Sequence, residues 1–457
     1  MKNKEALTIV IAGAGKVGDT VARRLCEAGH DITLIDTNRE LLEDASNAMD
    51  VMGVCGSCAA PTVLREAGIA DADVFIAATG NDEANLVSCQ FARKMGARHT
   101  VARLRNQDYM DDIESLQRFM GLGLVINPDY VTAQEISRAL QFPTATQIDS
   151  FSDCELEIVT FRLPEGNRLD GTKLFDLPKK VKQRALVCAV ERDGSVCIPD
   201  GSFVLRAGDS ISVTAPPKAL RGFYRDVGVS PKPVRNVLIL GGSRIAVYLA
   251  QLLQTTGIKV TIIENDRQRG NQLAELLQWA DIDGGDGTDT TVLARNSIHE
   301  ADGFVALTNY DEDNIILSIY AKKQGVDKVV SKINNEKFTD LLHDLFPDTS
   351  LSPKKLVAER IAGYVTGIAH ANDSSTIEAL YTLAKNVTAT EFVVGAKSAC
   401  IGRTLKELQL KPGVLLAAVV RGGKSFLPDG ETSLNADDRV VIVTAGQQIF
   451  SLDEILA

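Results

Sequence analysis

The feature that most constrains this sequence is that its pattern occurs twice. Segments of the first half recur in the second half in the same order: residues 9–18 in 237–246, 31–36 in 259–264, 72–79 in 301–308, 198–201 in 427–430 and 207–211 in 436–440. The first two pairs are 228 residues apart and the others are 229 apart. Two units of about half the chain each are therefore predicted, and a fold assigned to one unit must also suit the other.

The first part of each unit alternates short apolar strands with helical periodicity. After the strand-like residues 8–12, apolar side chains recur at near-helical spacing at Val17, Val21 and Leu25. This alternation predicts βαβ units with right-handed crossovers. The fold class is therefore α/β, with two Rossmann-like domains that each contain a doubly wound parallel sheet.

The second part of each unit is richer in turns and predicts a small β-rich domain. Its short apolar runs in the first unit, separated by Pro-Asp-Gly and Gly-Asp turns, are residues 185–190, 203–205 and 210–214. Turn-forming residues near positions 143, 230 and 371 mark candidate linkers. The predicted domains are residues 1–143, 144–229, 230–371 and 372–457.

Composition and charge disfavour several classes of protein. No stretch approaches the ~18 apolar residues of a membrane-spanning helix, and residues 1–7 are too few for a secretory leader. A formal charge of -11 disfavours nucleic acid and anionic lipid as the main partner, because both need a basic face. The eight cysteines are dispersed, as is typical of free thiols in a reducing compartment. We expect a cytosolic protein without structural disulfides.

A glycine motif opens the first unit. Gly13, Gly15 and Gly18 follow the first predicted strand and open a predicted helix. In this context the first glycine permits a tight turn, the second lets the backbone approach a pyrophosphate, and the third lets the helix pack on the strand. The helix N-terminus then presents free N–H groups to the phosphates. The other residues of this predicted phosphate-binding loop are Ala14, Lys16 and Val17.

Asp36 closes the next predicted strand, at about the 20-residue separation where an acid binds ribose. Its carboxylate can accept hydrogen bonds from ribose hydroxyls and would repel a 2′-phosphate, which favours NAD(H), ATP or ADP over NADP. The alternative is that the glycines only turn a strand into a helix. The strand, helix and acid occurring together favour a nucleotide site.

The second unit keeps this loop but not all of its glycines. Ser243 and Ala246 replace the second and third glycines, and Glu264 takes the place of the acid. A serine side chain there would crowd a pyrophosphate, so nucleotide binding in the second unit is weaker, different or absent. Its candidate ligand contacts are Gly241, Ser243, Arg244 and Glu264.

Further candidates follow the fourth and fifth strands, because the carboxyl ends of parallel strands meet at the sheet edge where ligands bind. They are Thr79, Gly80 and Arg103 in the first unit, and Thr308 and Lys332 in the second. Beside them stand Asp82 and Asn85, and Asp311 and Asn314. The alternative roles are helix N-capping for the threonine, aspartate and asparagine residues and simple solvation for the two cations.

No catalytic centre is visible in the sequence. The five histidines fall at dissimilar positions of the repeat, and no serine elbow, HExxH or P-loop motif is present. A hydride-transfer enzyme would add a substrate domain with an acid or base. Cys55 and Cys58 form a CxxC, but structural zinc would need two further ligands. These features favour a sensor over an enzyme or a metalloprotein.

The chain resembles the family of potassium-conductance-regulating (RCK) domains, in the tandem order N-lobe, C-lobe, N-lobe, C-lobe. The resemblance spans the whole chain and is carried by the glycine loop with Asp36, residues 67–73, residues 78–85, and the Pro-Asp-Gly and Gly-Asp turns. It implies that each small domain is an α+β C-lobe. It also implies ligand contacts after the third strand, where the second unit has Gly285 and Asp286 and the first has Gly56 and Ser57, followed by Cys58.

The resemblance also implies partners and a mechanism. Tandem members form a cytoplasmic ring beneath an integral membrane potassium channel subunit of the TrkH type. A homotetramer, peripheral on the inner face of the membrane, is therefore expected, with NAD(H) and/or ATP/ADP as regulatory ligands. A nucleotide shifts such a ring only if it binds two conformations with different affinity. The sequence does not indicate which nucleotide opens the pore. The rival functions are an NAD-dependent oxidoreductase and a nucleotide-binding assembly module without a channel.

Overall fold

The computed structural model describes residues 6–110, 112–151, 156–229, 232–335, 338, 349–370 and 374–457, without the side chain of residue 114. The chain divides into two compact units. One joins residues 4–140 with 234–362 and holds the two Rossmann-like N-lobes, and the other joins residues 141–233 with 363–457 and holds the two C-lobes. The predicted fold class is confirmed, whereas the domain boundaries at residues 143, 229 and 371 stay a prediction.

The first N-lobe contains a six-stranded parallel sheet in the order β3-β2-β1-β4-β5-β6. Its strands are β1 (Thr8–Ala12), β2 (Asp31–Asp36), β3 (Val51–Cys55), β4 (Val74–Ala77), β5 (His99–Arg103) and β6 (Leu124–Ile126). Its helices are α1 (Lys16–Glu27), α2 (Arg39–Ala48), α3 (Pro61–Glu66), α4 (Asp82–Met95), α5 (Gln107–Met110), α6 (Ile113–Met120) and α7 (Pro128–Gln141). Strands β1 and β4 lie at the centre and are almost entirely buried, which is why they are continuous apolar runs.

The second N-lobe repeats this sheet in the order β14-β13-β12-β15-β16-β17. Its strands are β12 (Asn236–Leu240), β13 (Lys259–Glu264), β14 (Asp281–Gly284), β15 (Gly303–Ala306), β16 (Lys328–Lys332) and β17 (Thr349–Leu351). Its helices are α10 (Arg244–Gln254), α11 (Arg267–Leu276), α12 (Thr290–Arg295), α13 (Asp311–Lys323) and α14 (Pro353–Ala369). In both sheets the strand order reverses beside the glycine loop, which creates a crevice at the carboxyl edge.

Helix α7 ends the first N-lobe but packs on the second. Its residues Ile136 and Leu140 are fully buried in a core cluster with β12, α10 and β13 of the second N-lobe. Asn127 Nδ2 donates a hydrogen bond to the hydroxyl of Tyr248 at 3.1 Å, and the rings of Tyr130 and Tyr248 meet edge to face at 5.4 Å. Fully burying an isoleucine or leucine contributes about 1.5–3 kcal/mol each, so this helix joins the two lobes.

Each C-lobe is a five-stranded antiparallel sheet, in the orders β10-β9-β11-β8-β7 and β18-β19-β22-β20-β21. The first contains β7 (Gln147–Phe151), β8 (Leu156–Arg162), β9 (Leu186–Arg192), β10 (Ser195–Cys197) and β11 (Ser210–Ala215), with helices α8 (Leu177–Lys180) and α9 (Pro217–Val227). The second contains β18 (Ser375–Ala384), β19 (Val387–Val394), β20 (Val414–Arg421), β21 (Lys424–Phe426) and β22 (Arg439–Ala445).

One strand predicted in the first C-lobe is absent. Residues 203–205 form only a single bridge, between Val204 and Lys173. The flanking backbone bonds of residues 203 and 205 go to the chain around residues 172–174. The segment is therefore an extended loop, because Pro-Asp-Gly before it and Gly-Asp after it leave too few residues to continue a ladder.

The two C-lobe sheets share an apolar core. Cys188 and Ala189 of the first C-lobe are buried in one cluster with Ala389, Ala417 and Val443 of the second. Small side chains on these strands let the two sheets approach each other. The contact is extended by the edge-to-face pair of Phe151 and Tyr381, whose centroids are 5.0 Å apart.

The repeated turn before the last strand of each C-lobe is held by an ion pair whose aspartate is buried. Asp209 accepts two hydrogen bonds from Arg192, at 2.6 and 2.7 Å. In the second C-lobe Asp438 accepts two from Arg421, at 2.7 and 2.6 Å. A bidentate pair of this kind fixes geometry as well as charge, which explains why the aspartate occurs in both copies.

Within the described ranges no helix is both long enough and apolar enough to cross a membrane. The described cysteines at positions 26, 55, 58, 89, 188, 197 and 400 are free thiols, and Cys154 lies outside the described residues. The same ranges contain no group of three or more histidine, cysteine, aspartate or glutamate residues arranged to hold a metal ion.

Candidate functional site

The three glycines of the first N-lobe serve different purposes. Gly13 has a φ of +102°, and a side chain there would meet the carbonyl oxygen of Ala78 at 3.0 Å. A side chain at Gly18 would lie 1.8 Å from the carbonyl oxygen of Gly13, so only glycine lets α1 approach β1. Gly15 faces open space, with no atom within 4 Å of where its β-carbon would be. The first and third glycines therefore serve the fold, and the second leaves room for a ligand.

Asp36 stands beside this loop with its carboxylate held by the backbone. Its Oδ2 accepts a hydrogen bond from the N–H of Ala14 at 2.7 Å, and its Oδ1 accepts one from the N–H of Asn38 at 2.8 Å. Each carboxylate oxygen can accept about two hydrogen bonds, so one position on each stays available for ribose hydroxyls. The acid is therefore oriented before any ligand arrives.

The glycine loop, the acid and the loops after β3, β4 and β5 surround a cleft of about 480 Å³, which is a typical volume for a small-molecule site. The predicted contacts that line it are Gly13, Gly15, Lys16, Val17, Asp36, Cys58, Thr79, Gly80 and Arg103. Ala14 and Gly18 lie behind the lining. The first contributes its N–H to Asp36, and the second packs against Gly13.

Six further residues also line the cleft: Ile35, Thr37, Gly56, Ser57, Ala78 and Ala84. Most of these residues are adjacent in sequence to a predicted contact, and that adjacency is the signal from which the sequence could have identified them. Gly56 and Ser57 form the turn after β3 where the family resemblance implies ligand contacts. Ala84 lies in the first turn of α4 and reaches the cleft only because that helix packs beside β4.

A buried asparagine holds the loop after β4. Asn85 Oδ1 accepts hydrogen bonds from the N–H and the hydroxyl of Thr79, at 3.0 and 2.7 Å. Its Nδ2 donates to the carbonyl oxygen of Arg103 at 2.8 Å. The N-cap of α4 is Asn81, whose side chain accepts from the N–H of Ala84, so the capping role considered for Thr79 and Asn85 is wrong. The asparagine instead ties the ends of β4 and β5 together.

The aspartate of the same loop is not a cap either. Asp82 Oδ2 accepts hydrogen bonds from the N–H groups of Arg105 and Asn106, at 2.8 and 2.7 Å. Asp311 accepts from the N–H groups of Asn334 and Asn335 in the same way, at 2.9 and 2.7 Å. These carboxylates anchor the loop after the fifth strand, because that loop would otherwise leave its N–H groups unpaired.

Arg103 is a half-buried cation of the first cleft. Its Nη1 donates to the carbonyl oxygen of Thr79 at 2.9 Å, whereas its Nε is buried and has no hydrogen-bond partner. Burial, and then the like charge of Arg105, lower the pKa of the guanidinium. A buried donor without an acceptor costs about 1–3 kcal/mol. A phosphate would supply both the missing acceptor and the missing negative charge.

The corresponding loop of the second N-lobe is closed by its own side chains. Ser243 caps α10 by accepting a backbone hydrogen bond at 3.4 Å. Glu264 accepts from the N–H of Gly242 at 2.6 Å, and Arg269 Nε donates to the carbonyl oxygen of Gly242 at 2.8 Å. The first N-lobe has Leu41 where the second has Arg269. An arginine therefore ties α11 to the second loop, whereas the first has no such tie.

The other residues predicted for the second N-lobe occupy equivalent positions. Gly241 has a φ of +94°, and Arg244 begins α10 and is exposed. Asp286 is exposed, and two hydrogen bonds from its own turn lower its pKa. Thr308 is held by a buried asparagine as its counterpart is. Lys332 is buried, which lowers its pKa. The carboxyl edge of the second sheet therefore resembles that of the first, but the side chain of Arg269 bonds to its glycine loop.

Charged contacts lead from the first cleft toward the second N-lobe. Arg105, two residues after Arg103, donates to both carboxylate oxygens of Asp129, at 3.0 and 3.2 Å. Asp129 is buried in the first turn of α7, the helix that packs on the second N-lobe. Burial lowers the pKa of Lys332, Asp311 and then Asp129 raise it, and Arg105 lowers it. The charges of Arg105 and Asp129 thus act on both Arg103 and Lys332, the corresponding cations of the two lobes.

Comparison with known proteins finds the same tandem arrangement. The TrkA-N domain model matches residues 9–128 and 237–353, and the TrkA-C domain model matches residues 158–228 and 389–457. A Trk system potassium uptake protein TrkA homolog of Archaeoglobus fulgidus is 31% identical over 452 residues, which is 98% of this chain and 100% of the relative. The Trk system potassium uptake protein TrkA of Vibrio alginolyticus is 31% identical over 458 residues, 98% of each chain.

Solved structures share the fold at lower identity. The GsuK channel bound to NAD superposes with a TM-score of 0.63 at 18% identity, and covers 97% of this chain and 78% of that one. The GsuK RCK domain gives a TM-score of 0.61 at 17% identity, with 97% and 94% covered. At this identity the likeness shows the fold alone, that of N-lobes followed by C-lobes.

The different surroundings of the glycines give a first prediction. Gly15 has open space beside it and an extended backbone, with a φ of -72°, so Gly15→Val should lower the melting temperature only slightly, because valine is a poorer N-cap of α1 than glycine. The added side chain would occupy the position that a ligand backbone needs, and nucleotide affinity should fall at least ~10-fold, or about 1.4 kcal/mol. Gly18→Ala should instead destabilise the fold by about 1–3 kcal/mol, because it overpacks the strand. Thermal denaturation measures the stability of both variants, and calorimetric titration measures their nucleotide affinity. Undiminished nucleotide binding by Gly15→Val would place the ligand elsewhere.

Proposed function

The chain belongs to the TrkA family, and from this membership we propose that it is the nucleotide-sensing regulatory subunit that gates a potassium uptake channel in the membrane. Its relatives are named as Trk system potassium uptake proteins, and a structure of similar fold is a channel bound to NAD. The observation that carries the proposal is the first cleft. There the open space beside Gly15, the oriented carboxylate of Asp36 and the unmet donor of Arg103 converge.

Each part of the first cleft suits one part of an adenine nucleotide. The N-terminus of α1 and Lys16 would face the phosphates, and Arg103 would supply a further cation. Asp36 would accept the ribose hydroxyls, and its charge would repel a 2′-phosphate. The proposed ligands are therefore NAD(H) and/or ATP/ADP. The second loop, crossed by Arg269, is the less favourable of the two sites.

The groups around the first cleft favour binding over turnover. Both carboxylate oxygens of Asp36 are engaged by backbone N–H groups. Burial raises the pKa of the Cys58 thiol, which keeps it protonated and a poor nucleophile at neutral pH. A hydride-transfer enzyme needs an acid or base over the nicotinamide, and the described lining includes no histidine. These features support a regulator over an oxidoreductase.

The ion pair of Arg105 and Asp129 is proposed to carry the signal out of the cleft. A phosphate bound to Arg103 would change the charge beside Arg105, which holds Asp129 at the start of α7. Movement of α7 would then shift the second N-lobe on which it packs. Nucleotides that differ in phosphate number or ring charge would bind the two arrangements unequally, which a population shift requires.

Assembly of four chains beneath a membrane subunit of the TrkH type completes the proposal. Helices α4 and α13 are equivalent in the two N-lobes, and both expose apolar side chains. Val87 is 43% exposed and its counterpart Ile316 is 63% exposed. Exposed apolar residues at matching positions mark an interaction surface. A chain that carries this surface twice can close a ring with copies of itself on the cytoplasmic face of the membrane.

The ligand and its lobe are tested together by calorimetric titration with ATP, ADP, NAD and NADH. Asp36→Asn replaces one carboxylate oxygen by a donor, so it should weaken nucleotide binding at least ~10-fold. Glu264→Gln makes the matched change in the second N-lobe and should leave the tighter binding step unchanged. No binding of any of the four nucleotides, or equal binding by Asp36→Asn, would overturn the proposed site.

The path through α7 is tested by hydrogen exchange with and without nucleotide. In the parent protein, binding should slow exchange in α7 and in α10 of the second N-lobe. Asp129→Asn should confine this protection to the first N-lobe while changing affinity less than ~3-fold, because Asp129 does not line the cleft. Asp283→Asn removes the Arg295 ion pair, at 2.7 Å, within the second N-lobe and should behave as the parent. Protection of α10 that survives Asp129→Asn contradicts this path.

Assembly is tested by light scattering after size exclusion. The double variant Val87→Asp/Ile316→Asp places charges on the proposed contact surfaces and should convert tetramers into smaller species. Leu276→Asp is the control, because Leu276 is 56% exposed but lies on α11. A double variant that stays tetrameric would show that the ring closes through another surface.

A further inference from the structure

A second cleft lies at the opposite edge of the first Rossmann sheet. Its volume is about 520 Å³. Residues at the start of β5 and before β6 form its base, and the last turns of α4 and α6 form its sides. The nucleotide cleft opens at the carboxyl ends of the strands, whereas this one opens at their amino ends. The two clefts are therefore separate sites of the same lobe.

The charged side chains that line this second cleft are basic. They are Arg93, Arg98 and Arg118, and the described lining contains no carboxylate. His99 also lines the cleft, where burial lowers the pKa of its imidazole. The whole chain carries a formal charge of -11, so such a concentration of positive charge runs against the overall balance. Like charges drawn together repel one another, and a bound anion would relieve that repulsion.

Two of these arginines have no countercharge among the side chains that the structure describes. Arg98 Nη1 pairs with Asp73 at 2.8 Å. The guanidinium groups of Arg93 and Arg118 form neither a salt bridge nor a hydrogen bond with any of the described side chains or carbonyl groups. Gly121 makes room for one of them, because a side chain there would fall 1.0 Å from Nη1 of Arg93. Glycine at this turn thus gives the guanidinium its place in the cleft.

Cations at helix C-termini often do no more than balance the helix dipole. Here that explanation is weakened by the hydrogen bonds already made at the two helix ends. In α4 the carbonyl groups of Ala92 and Arg93 accept backbone N–H groups of the following turn. In α6 the carbonyl group of Gln117 accepts backbone N–H groups of the following turn, and that of Met120 accepts the side-chain amide of Gln90. The side chains of Arg93 and Arg118 donate to none of these carbonyl groups, and both line the cleft.

We infer that this second cleft binds a phosphate-bearing anion, independently of the nucleotide cleft. Arginine presents paired N–H donors in a planar fork that matches phosphate oxygens. Arg93 and Arg118 supply two forks that no described side chain pairs with, and Arg98 adds a third that Asp73 holds in place. The cleft has room for a small phosphate ester or pyrophosphate. The headgroup of an anionic lipid offers the same chemistry, and Phe119, 88% exposed beside Arg118, gives that source an apolar contact.

The soluble source is tested by calorimetric titration of the full-length chain with pyrophosphate, in the parent and in Gly15→Val. The second background separates this cleft from the glycine loop, so its outcome does not depend on whether the proposed nucleotide site is correct. Arg93→Gln/Arg118→Gln should lower pyrophosphate affinity at least ~10-fold in both backgrounds. Lys94→Gln removes a neighbouring exposed cation of α4 that does not line the cleft and should bind as the parent does.

The membrane source is tested by flotation with vesicles of phosphatidylcholine alone or with phosphatidylglycerol. Binding only to the vesicles that contain phosphatidylglycerol, and its loss in Arg93→Gln/Arg118→Gln, assigns the cleft to a lipid headgroup. Pyrophosphate binding without flotation assigns the cleft to a soluble ligand. If the double variant melts below the parent, Arg118→Gln alone replaces it, and affinity should still fall. Failure of both probes to bind, or equal binding by the parent and a folded variant, overturns the inference.

Discussion

The packing of α7 on the second N-lobe is the interaction on which the rest of the structure depends. A parallel sheet must be covered on both faces, and the second sheet obtains part of its cover from a helix of the first lobe. Ile136 and Leu140 are fully buried there. Gly303 permits the contact, because a side chain at that position would lie 3.0 Å from Cδ2 of Leu140. The two N-lobes consequently form one compact unit rather than two independent domains.

The two lobes share this packing, but their glycine loops differ. The first keeps an open position at Gly15, while the second has a serine that caps its own helix and an arginine, Arg269, that bonds to the loop. A few substitutions at equivalent positions thus leave open space beside one loop and not beside the other. Helix α7 starts at the ion pair of Asp129 and ends in the core of the other lobe, and this is the route that we propose for a signal between the lobes.

In the first N-lobe, arginines that lack a hydrogen-bond acceptor or a countercharge indicate candidate anion sites. Arg103 is half-buried with an unmet donor at one sheet edge, and the described side chains give Arg93 and Arg118 no countercharge at the other. Burial lowers the pKa of Arg103, which means that its charged form gains from a phosphate. The ion pairs of the C-lobes provide the contrast, since Arg192 and Arg421 are paired with buried aspartates and serve the fold.

Local patterns in the sequence determined the duplication, the doubly wound fold, the glycine loop and its acid. They did so because strand and helix periodicity and the steric freedom of glycine act over a few residues. The same patterns predicted a strand at residues 203–205, where the flanking turns leave only an extended loop. The N-capping considered as an alternative for Thr79, Asp82 and Asn85 falls to Asn81 instead, because neighbouring polar residues compete for the same hydrogen bonds. Only the tertiary structure decided that Ala84 reaches the cleft, that α7 crosses to the second lobe, and that three arginines meet at the amino edge. Those outcomes depend on packing between residues far apart in the chain, and no short-range pattern encodes which distant surfaces will meet.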